Sequence, residues 1–225
     1  MSIAENIGKV RQNIKAACER SGRNYEDITI LGVTKTVGID DIMCAVNEGI
    51  CDLGENRVQE FMEKYGKIPN VKWHIIGHLQ TNKVKYIIGK TKLIHSVDTL
   101  KLAEEIERLS KRENVVTDIL LEVNISGEKS KSGMSEDEIL PILEKIEEFS
   151  CVKVRGFMTM APKFASEDEI RQIFRKLYKI FVDISRKKYN NISMDYLSMG
   201  MSSDYTVAVE EGANIVRIGS KIFKQ

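Results

Sequence analysis

The sequence predicts a single (β/α)8 barrel, and three observations lead to this fold class. Eight short apolar segments alternate with amphipathic ones, which is the order of a parallel sheet whose strands are joined by helices. The short segments are continuously apolar, as in strands that are buried on both faces. The length of 225 residues is close to the ~250 residues of single-domain barrels. The chain has no linker, low-complexity tract or shift in composition, so we expect one domain over residues 1–225.

The first element is predicted to be a helix that lies outside the alternation. Ser2 and Glu5 have the spacing of a capping box, apolar residues recur behind them at helical spacing, and Gly22 ends the pattern. After Ser220, which follows the last predicted strand, only residues 221–225 remain, and they are too few for an outer helix. We therefore expect the N-terminal helix to cover the gap after the last strand.

The eight predicted strands follow in chain order, and several of the helices between them carry start signals. The strands are residues 28–33, 52–54, 73–77, 93–97, 117–123, 152–160, 194–199 and 215–218. Asp98 is expected to cap one helix, and the S-x-x-E boxes at Ser135 and Ser166 are expected to begin two others. Pro141 falls inside the pattern that starts at Ser135, so this helix is expected to start late or to be kinked.

Composition and charge exclude several classes of protein. The 34 basic and 33 acidic residues give a formal net charge of +1, without the basic excess of nucleic-acid binders. No apolar run reaches the ~18 residues that a membrane span requires. The N-terminus lacks the basic and apolar regions of a signal peptide. We therefore expect a cytoplasmic protein with neither a nucleic acid nor a membrane as partner. We also expect a monomer, although none of these patterns determines the oligomeric state.

Cysteine and histidine spacing predicts no metal site. The four cysteines are scattered without a CxxC pair, which is typical of small buried apolar side chains. His74 and His78 are four residues apart, but no cysteine or carboxylate pattern accompanies them. We interpret His74 and His95 as structural.

Lys35 is the first candidate for chemistry, because barrel enzymes place their reactive groups at the carboxyl ends of strands. It follows the apolar strand 28–33, where a lysine is unfavourable unless its amine has a function. Partial desolvation disfavours the charged form of an amine. A neutral amine is a nucleophile toward aldehydes and ketones.

Two loops have the composition of an anion site. Residues 200–204 (Gly-Met-Ser-Ser-Asp) follow the seventh strand, and Gly219 and Ser220 follow the eighth. Glycine lets the backbone come close to a ligand, and the hydroxyls of Ser202 and Ser220 can donate hydrogen bonds. Either loop alone could be an ordinary turn. Together they occupy the two positions where barrels often bind phosphate, which favours a phosphate site.

Arg217 precedes Gly219 by two residues, so both face the same side of the strand. A buried arginine is costly unless it is paired. It therefore either forms an ion pair with a barrel carboxylate, such as Glu55 or Asp204, or points its guanidinium at a ligand.

A lysine amine, a phosphate site and an inward arginine together describe a site for pyridoxal 5'-phosphate. In this interpretation Lys35 holds the aldehyde as a Schiff base. Ser202, Gly219 and Ser220 hold the phosphate, and Arg217 faces the pyridine nitrogen.

Seven segments of the chain resemble the YggS/PROSC family of pyridoxal phosphate homeostasis proteins. In order, they are residues 32–35 (GVTK), 54–60 (GENRVQE), 73–83 (WHIIGHLQTNK), 96–98 (SVD), 123–127 (VNISG), 197–202 (LSMGMS) and 216–220 (VRIGS). The segments are long, specific and in the same order along the chain. The family often has threonine at the position of Ser220, which keeps the hydroxyl.

The resemblance implies a single-domain barrel similar to the N-terminal domain of alanine racemase, with the cofactor on Lys35 as an internal aldimine. It also implies a role in keeping the free aldehyde low and amino-acid pools balanced, without a settled enzymatic reaction, and cofactor-requiring apoenzymes as possible recipients. Asn56 is a candidate for the cofactor's phenolic oxygen and His78 for its ring. A helix cap and a strand-end imidazole are the alternatives for these two residues.

The residues themselves favour binding over turnover. A guanidinium stays charged and has no acceptor site, so Arg217 beside the pyridine nitrogen would leave that nitrogen unprotonated and weaken carbanion stabilisation. In racemases of this fold the second acid/base group comes from a second domain, and this chain stops five residues after Ser220.

Three other functions remain open at this point. A small fold-type III amino-acid racemase would use the same lysine with strong turnover. A class I aldolase also uses a barrel lysine and a phosphate site, but no proton-shuttling carboxylate is evident beside Lys35. A non-catalytic protein-interaction module would leave Lys35 without a function.

Overall fold

The eight predicted strands form a closed parallel barrel in the computed structural model of the protein, which describes residues 2–128 and 131–224. Strands adjacent in sequence are adjacent in the barrel, and the first strand closes it by pairing with the last. The strands are β1 (Thr29–Val33), β2 (Asp52–Glu55), β3 (Lys72–Ile75), β4 (Leu93–Val97), β5 (Thr117–Glu122), β6 (Val152–Met158), β7 (Ile192–Ser198) and β8 (Ile215–Ile218). The predicted (β/α)8 fold is confirmed.

Helices connect the strands and form the outer layer. They are α1 (Ile3–Ser21), α2 (Ile39–Asn47), α3 (Val58–Lys64), α4 (Leu100–Glu113), α5 (Glu136–Ile146), α6 (Glu167–Ser185), α7 (Tyr205–Glu210) and α8 (Ser220–Phe223). Two short 3-10 helices, Tyr25–Asp27 and Thr81–Tyr86, precede β1 and join β3 to β4. α8 is a single turn, so β8 is followed by no full outer helix within the described residues.

The N-terminal helix covers the gap beside β8, as predicted. α1 packs against α2, α7 and α8. Its Asn13 donates a hydrogen bond from Nδ2 to the hydroxyl of Tyr205 at 2.8 Å. Near its end, Arg20 pairs with Glu210 at 2.6 Å.

The helix start signals of the sequence are mostly confirmed. The capping boxes Ser2/Glu5 and Ser166/Glu169 are formed, and Ser135 donates to the Glu138 carboxylate from both its backbone N–H and its hydroxyl at 2.8 Å.

One prediction about helix starts was wrong. α4 is capped by Thr99, whose hydroxyl accepts from the N–H of Leu102, and not by Asp98. Of the two alternatives for α5, a late start is contradicted, because the helix begins directly after Ser135 and contains Pro141 in its interior, while a kink at Pro141 stays a prediction.

The alternation of side chains along the strands determines which residues face the barrel interior. The barrel interior contains a cluster of inward apolar side chains, Leu31, Val33, Ile76, Leu93, Leu120, Met158 and Ile215. Residues two positions further along a strand share the same side. Arg217 follows Ile215, and Glu122 follows Leu120, in this way, so both face the interior near the carboxyl ends of their strands.

Two other expectations from the sequence concern membrane-spanning helices and the cysteines. In the described part of the chain, no helix combines the length and apolar character that crossing a bilayer requires. All four cysteines are free thiols, but only Cys18 is buried, whereas Cys44 is exposed. The interpretation of all four as buried apolar groups was therefore wrong.

Candidate functional site

Lys35 lies two residues beyond the end of β1, in a turn closed by a 3.0 Å hydrogen bond from the N–H of Val37 to the carbonyl of Thr34. The lysine side chain is exposed at the carboxyl end of the barrel. The predicted position is therefore correct, but the expected desolvation by the surrounding chain is not found. The amine is accessible from outside.

The residue after Lys35 has an unusual backbone conformation. Thr36 has φ of 60°, in the left-handed region that β-branched residues rarely adopt. Its N–H donates to Oε2 of Glu60 at 3.1 Å, which helps to hold this turn. Strained backbone of this kind is often found at functional sites.

A buried ion pair is hydrogen bonded to the backbone of this turn. Nζ of Lys64 donates to Oε1 of Glu55 and to the carbonyl of Thr34, both at 2.6 Å. The hydroxyl of Thr34 also donates to Oε1 of Glu55 at 2.6 Å. The peptide that leads into Lys35 is therefore fixed by two side chains of the neighbouring β2–α3 segment.

One of the two predicted phosphate loops, the loop after β8, lies next to Lys35. A cavity of about 280 Å³ is lined by Lys35, Val33, Gly219 and Ser220 among others. A Cβ on Gly219 would lie 3.2 Å from both Cβ and the carbonyl oxygen of Val33, so the absence of a side chain lets β8 and β1 approach closely here. The cavity therefore joins the amine to the loop after β8.

Ser202 connects the loop after β7 to the same place. Its Oγ accepts a hydrogen bond from the N–H of Lys221 at 3.4 Å. Gly200, with φ of 89°, begins this loop, and Met201 donates its N–H to Oδ1 of Asp204 at 2.5 Å. The structure thus brings together the loops that the sequence assigned to one anion site.

Arg217 is buried, with 3 % of its surface exposed. Nη1 donates to the carbonyl and to Oγ of Ser198 at 2.8 and 2.7 Å, and Nη2 donates to the carbonyl of Thr159 at 2.9 Å. Nε has no hydrogen-bond partner among the described residues. Burial lowers the pKa of Arg217 to about 10, against the opposing effect of Asp204 and Glu122. The guanidinium therefore remains charged at neutral pH.

Neither of the ion pairs considered for Arg217 from the sequence is formed within the described residues. Glu55 pairs with Lys64, and Asp204 accepts from the N–H of Met201. Arg217 is held by neutral oxygen atoms through Nη1 and Nη2, and among the described residues no hydrogen bond of Nε is found. This geometry favours the second sequence interpretation, a guanidinium that points at a ligand.

A hydrogen-bonded chain behind Arg217 was missed from the sequence. Ser198 contacts His95, His95 contacts His74, and His74 contacts Asp52 at the start of β2. The contact depends on strand register: His74 pairs in register with Leu93, which shares its side of β4 with His95. Two inward histidines on adjacent strands are able to meet.

Glu122 is a second residue that the sequence analysis did not select. It is buried at the end of β5, and burial, reinforced by repulsion from Asp98, raises its pKa to about 7 despite the attraction of Arg217. A carboxyl group that is partly protonated near neutral pH therefore lies close to the guanidinium.

Asn56 and His78 line a different cavity from Lys35. This cavity of about 590 Å³ also includes Gln80 and Lys83. Oδ1 of Asn56 is buried without a hydrogen-bond partner in the described structure, which is expected where a ligand completes a site. The side chain of His78 is 62 % exposed, and its Nδ1 lies 3.5 Å from Oδ2 of Asp98.

A further cavity, of about 830 Å³, contains none of the predicted site residues. It lies between the loops after β5 and β6, next to Lys131 and the exposed Phe164. Over residues 2–128 and 131–224, no group of three or more histidine, cysteine or carboxylate side chains converges as a metal site would.

The sequence profile of the alanine racemase N-terminal domain family matches residues 6–225. A pyridoxal phosphate homeostasis protein of Aquifex aeolicus is 43 % identical over 225 residues, which cover 99 % of this chain and 98 % of the relative. A protein of the same name in Pseudomonas aeruginosa is 34 % identical and is covered to 95 % of its length.

A solved structure shows the same fold with a ligand. PipY of Synechococcus elongatus, solved with pyridoxal phosphate bound, superposes with a TM-score of 0.87 at 28 % identity. The match covers 99 % of this chain and 100 % of that chain. The barrel is therefore shared over its whole described length with a protein that binds this cofactor.

Proposed function

The chain belongs to the family of pyridoxal phosphate homeostasis proteins, and we propose that it binds pyridoxal 5'-phosphate as a Schiff base on Lys35 and buffers or carries it in the cell. The observation that carries this proposal is the cavity shared by Lys35, Gly219 and Ser220. An amine and a phosphate-type loop that line one cavity match the aldehyde and the phosphate group of this cofactor.

We propose roles for other residues at the remaining parts of the cofactor; of these, Asn56 and His78 line a cavity separate from the one that contains Lys35. Ser202 connects the loop after β7 to the phosphate region, and we assign Arg217, whose Nη1 and Nη2 are held by Ser198 and Thr159, to the pyridine nitrogen. Asn56 has a buried oxygen without a partner, and a rotated amide at this position would present a donor to the phenolic oxygen. We assign His78 to the rim of the site.

The accessibility of Lys35 supports a carrier rather than an enzyme. When bound, pyridoxal phosphate supplies an aldehyde that condenses reversibly with primary amines. An exposed Lys35 leaves that linkage open to exchange with amines from outside. In the described structure, no carboxylate lies within ion-pair distance of Arg217. The group that we assign to the pyridine nitrogen is a guanidinium, whereas a carboxylate is the partner that promotes strong electron withdrawal by the ring.

We propose further that residues 1–225 act as one cofactor-binding domain, as a monomer in the cytoplasm, and that cofactor-requiring apoenzymes receive the cofactor. The balanced charge of 34 basic and 33 acidic residues supports a freely diffusing protein more than a nucleic-acid binder. We propose that the protein does not act as an amino-acid racemase.

The test is a visible absorption spectrum of the protein incubated with pyridoxal phosphate and freed from excess, before and after borohydride reduction. We expect a visible band, its loss on reduction, and an adduct that mass spectrometry places on Lys35. Lys35→Ala should abolish the band, whereas Lys101→Ala, an exposed lysine on α4, should leave it unchanged. An adduct on another lysine would overturn the assigned site.

Carrier function needs a separate measurement. The loaded protein is mixed with a pyridoxal phosphate-dependent apoenzyme, and recovery of that enzyme's activity is followed. We expect reactivation, together with negligible racemisation of free alanine or serine by the protein itself. Robust racemisation that depends on Lys35 would contradict the carrier proposal and identify a small racemase.

A further inference from the structure

A continuous hydrogen-bonded chain crosses the barrel interior behind Arg217. Oδ1 of Asp52 lies 3.0 Å from Nε2 of His74, and Nδ1 of His74 lies 2.9 Å from Nε2 of His95. Nδ1 of His95 lies 2.9 Å from Oγ of Ser198, which accepts from Nη1 of Arg217 at 2.7 Å. Asp52 begins β2 and Ser198 ends β7, so the chain runs from one end of the barrel to the other.

The charges along the chain are fixed by their surroundings. Burial lowers the pKa of His74, and it lowers that of His95 further, so both imidazoles are neutral at neutral pH. Burial alone would raise the pKa of Asp52, but the hydrogen bond from His74 and the positive charges of Lys92 and Lys72 bring it below the usual value. The chain therefore starts at an anion and passes through two neutral rings.

Only one arrangement of protons satisfies all four contacts. An ionised Asp52 can only accept, so His74 must carry its proton on Nε2 and accept on Nδ1. His95 must then donate from Nε2 to His74 and accept on Nδ1 from the hydroxyl of Ser198. With its proton directed to His95, Oγ of Ser198 presents its lone pairs to Arg217.

We infer that His74, His95 and Ser198 are positioning residues for Arg217. This inference rests on the proposed function, because its effect is read on the bound cofactor. The hydroxyl of Ser198 is held as an acceptor and fixes Nη1, while the carbonyl of Thr159 fixes Nη2. Both terminal nitrogens of the guanidinium are thereby fixed near the carboxyl end of β8.

The composition of the barrel interior argues for a role of this chain beyond packing. The surrounding barrel interior is filled by apolar side chains such as Leu93 and Leu120, which need no hydrogen-bond partners. Burying two imidazoles in the same layer is unfavourable unless each is fully hydrogen bonded. The bonds all point the same way and end on the guanidinium, which is the arrangement required to orient it.

The first test uses the protein without cofactor. Nitrogen-15 NMR of the histidine side chains distinguishes protons on Nδ1 from protons on Nε2, and the chain contains only three histidines. We expect His74 and His95 to be neutral with the proton on Nε2 near neutral pH. A proton on Nδ1 of His95, or a charged ring at either position, would overturn the inference whatever the cofactor does.

The second test uses the protein loaded with pyridoxal phosphate. Ser198→Ala removes the acceptor for Nη1, and we expect about tenfold weaker binding, the loss that one hydrogen bond to a charged group gives. We also expect the visible band of the bound cofactor, and the dependence of that band on pH, to shift. Ser198→Thr, which keeps the hydroxyl, should restore both.

Two matched variants separate orientation from general damage. Ser110→Ala also removes a buried hydroxyl, one that contacts Thr117 in the outer layer, and should leave the band and the affinity unchanged. His95→Asn keeps an acceptor near Ser198 but breaks the chain to His74. It should give an intermediate band shift even if Ser198→Ala fails to fold.

The outcomes distinguish this inference from the proposed function. If the native protein takes up no cofactor, the proposed function fails while the NMR result still reports on the chain. If the native protein is loaded but Ser198→Ala and His95→Asn match Ser110→Ala in affinity and in band position, the positioning role is wrong.

Discussion

The ammonium group of Lys64 lies 2.6 Å from Oε1 of Glu55, and both side chains are buried beneath the turn that carries Lys35. Lys64 also donates to the carbonyl of Thr34 at 2.6 Å, so the ion pair is bonded directly to the backbone of the site. Oε2 of Glu55 is buried without a partner in the described structure, which leaves Lys64 as the main compensation for the carboxylate charge.

Removing Lys64 alone should be strongly destabilising. Lys64→Met leaves the Glu55 carboxylate buried and unpaired, and breaking a buried pair in this way costs about 3–5 kcal/mol of unfolding free energy. Urea unfolding followed by circular dichroism measures the loss. The double variant Lys64→Met with Glu55→Met replaces the pair by apolar groups and should recover most of the stability. A double variant that is less stable than Lys64→Met alone would contradict this account.

The ion pair between Lys64 and Glu55 could not be predicted from the sequence, whereas other parts of the site could. Lys35 and Gly219 were identifiable because alternating segments predict a barrel, and a barrel brings the carboxyl ends of all strands to one rim. Lys64 is the last residue of the outer helix α3, and only the length of its side chain carries its amine to Glu55. The spacing of residues along the sequence does not predict this contact between Lys64 and Glu55.

The histidine chain was missed for a different reason. Whether His74 meets His95 depends on the register between β3 and β4, and a slip of one residue would turn either ring to the outer face. Register in a parallel barrel is set by packing across the whole sheet. The sequence therefore predicted the strands and their order, but it did not predict which inward polar residues touch.

Glu122 should make stability depend on pH in a definite direction. Burial raises its pKa from 4.5 to about 7, so the folded state binds a proton more tightly than the unfolded chain does. The stabilising contribution is complete below the unfolded pKa of 4.5 and is lost as the pH rises through about 7. The shift corresponds to about 3 kcal/mol as an upper value.

Glu122→Gln tests this dependence, because glutamine resembles the protonated acid. Relative to the native protein, the variant should be more stable near pH 8 by up to about 3 kcal/mol, and this advantage should disappear near pH 4. Thermal unfolding at several pH values gives the difference. Glu104→Gln, at an exposed position on α4, is the control and should show no such trend. An advantage that is equal at both ends of the pH range would show that the carboxyl charge is not responsible.

The hydroxyl of Ser220 should contribute to cofactor affinity through the phosphate. Ser220 lines the cavity that contains Lys35, and a hydrogen bond to a charged group contributes about 1.5–3 kcal/mol. Ser220→Ala should therefore weaken pyridoxal phosphate binding by at least about tenfold, as measured by equilibrium titration of the visible band. Ser220→Thr keeps the hydroxyl and should bind within about threefold of the native protein. Equal affinities of all three proteins would exclude this hydroxyl from the phosphate site.

Gly200 should be irreplaceable for two separable reasons, backbone conformation and space. Its φ of 89° lies in the region that favours glycine, and a side chain there costs about 1–2 kcal/mol. A Cβ at this position would also lie 2.5 Å from Cβ of Ala208 and 3.0 Å from Cα of Tyr205. Because α7 contains both contacts, an alanine must displace the loop that carries Ser202 from the helix.

Gly66 separates these two effects, since it has a similar φ of 81° but a Cβ added there would meet no heavy atom within 4 Å. Gly66→Ala should lose only the conformational term of about 1–2 kcal/mol and should keep its affinity for pyridoxal phosphate. Gly200→Ala should lose more stability than this and should bind the cofactor at least about tenfold more weakly, because the loop after β7 has moved. Urea unfolding and titration of the visible band measure the two quantities. If Gly200→Ala lost stability but bound the cofactor as tightly as Gly66→Ala, the loop after β7 would not belong to the phosphate site.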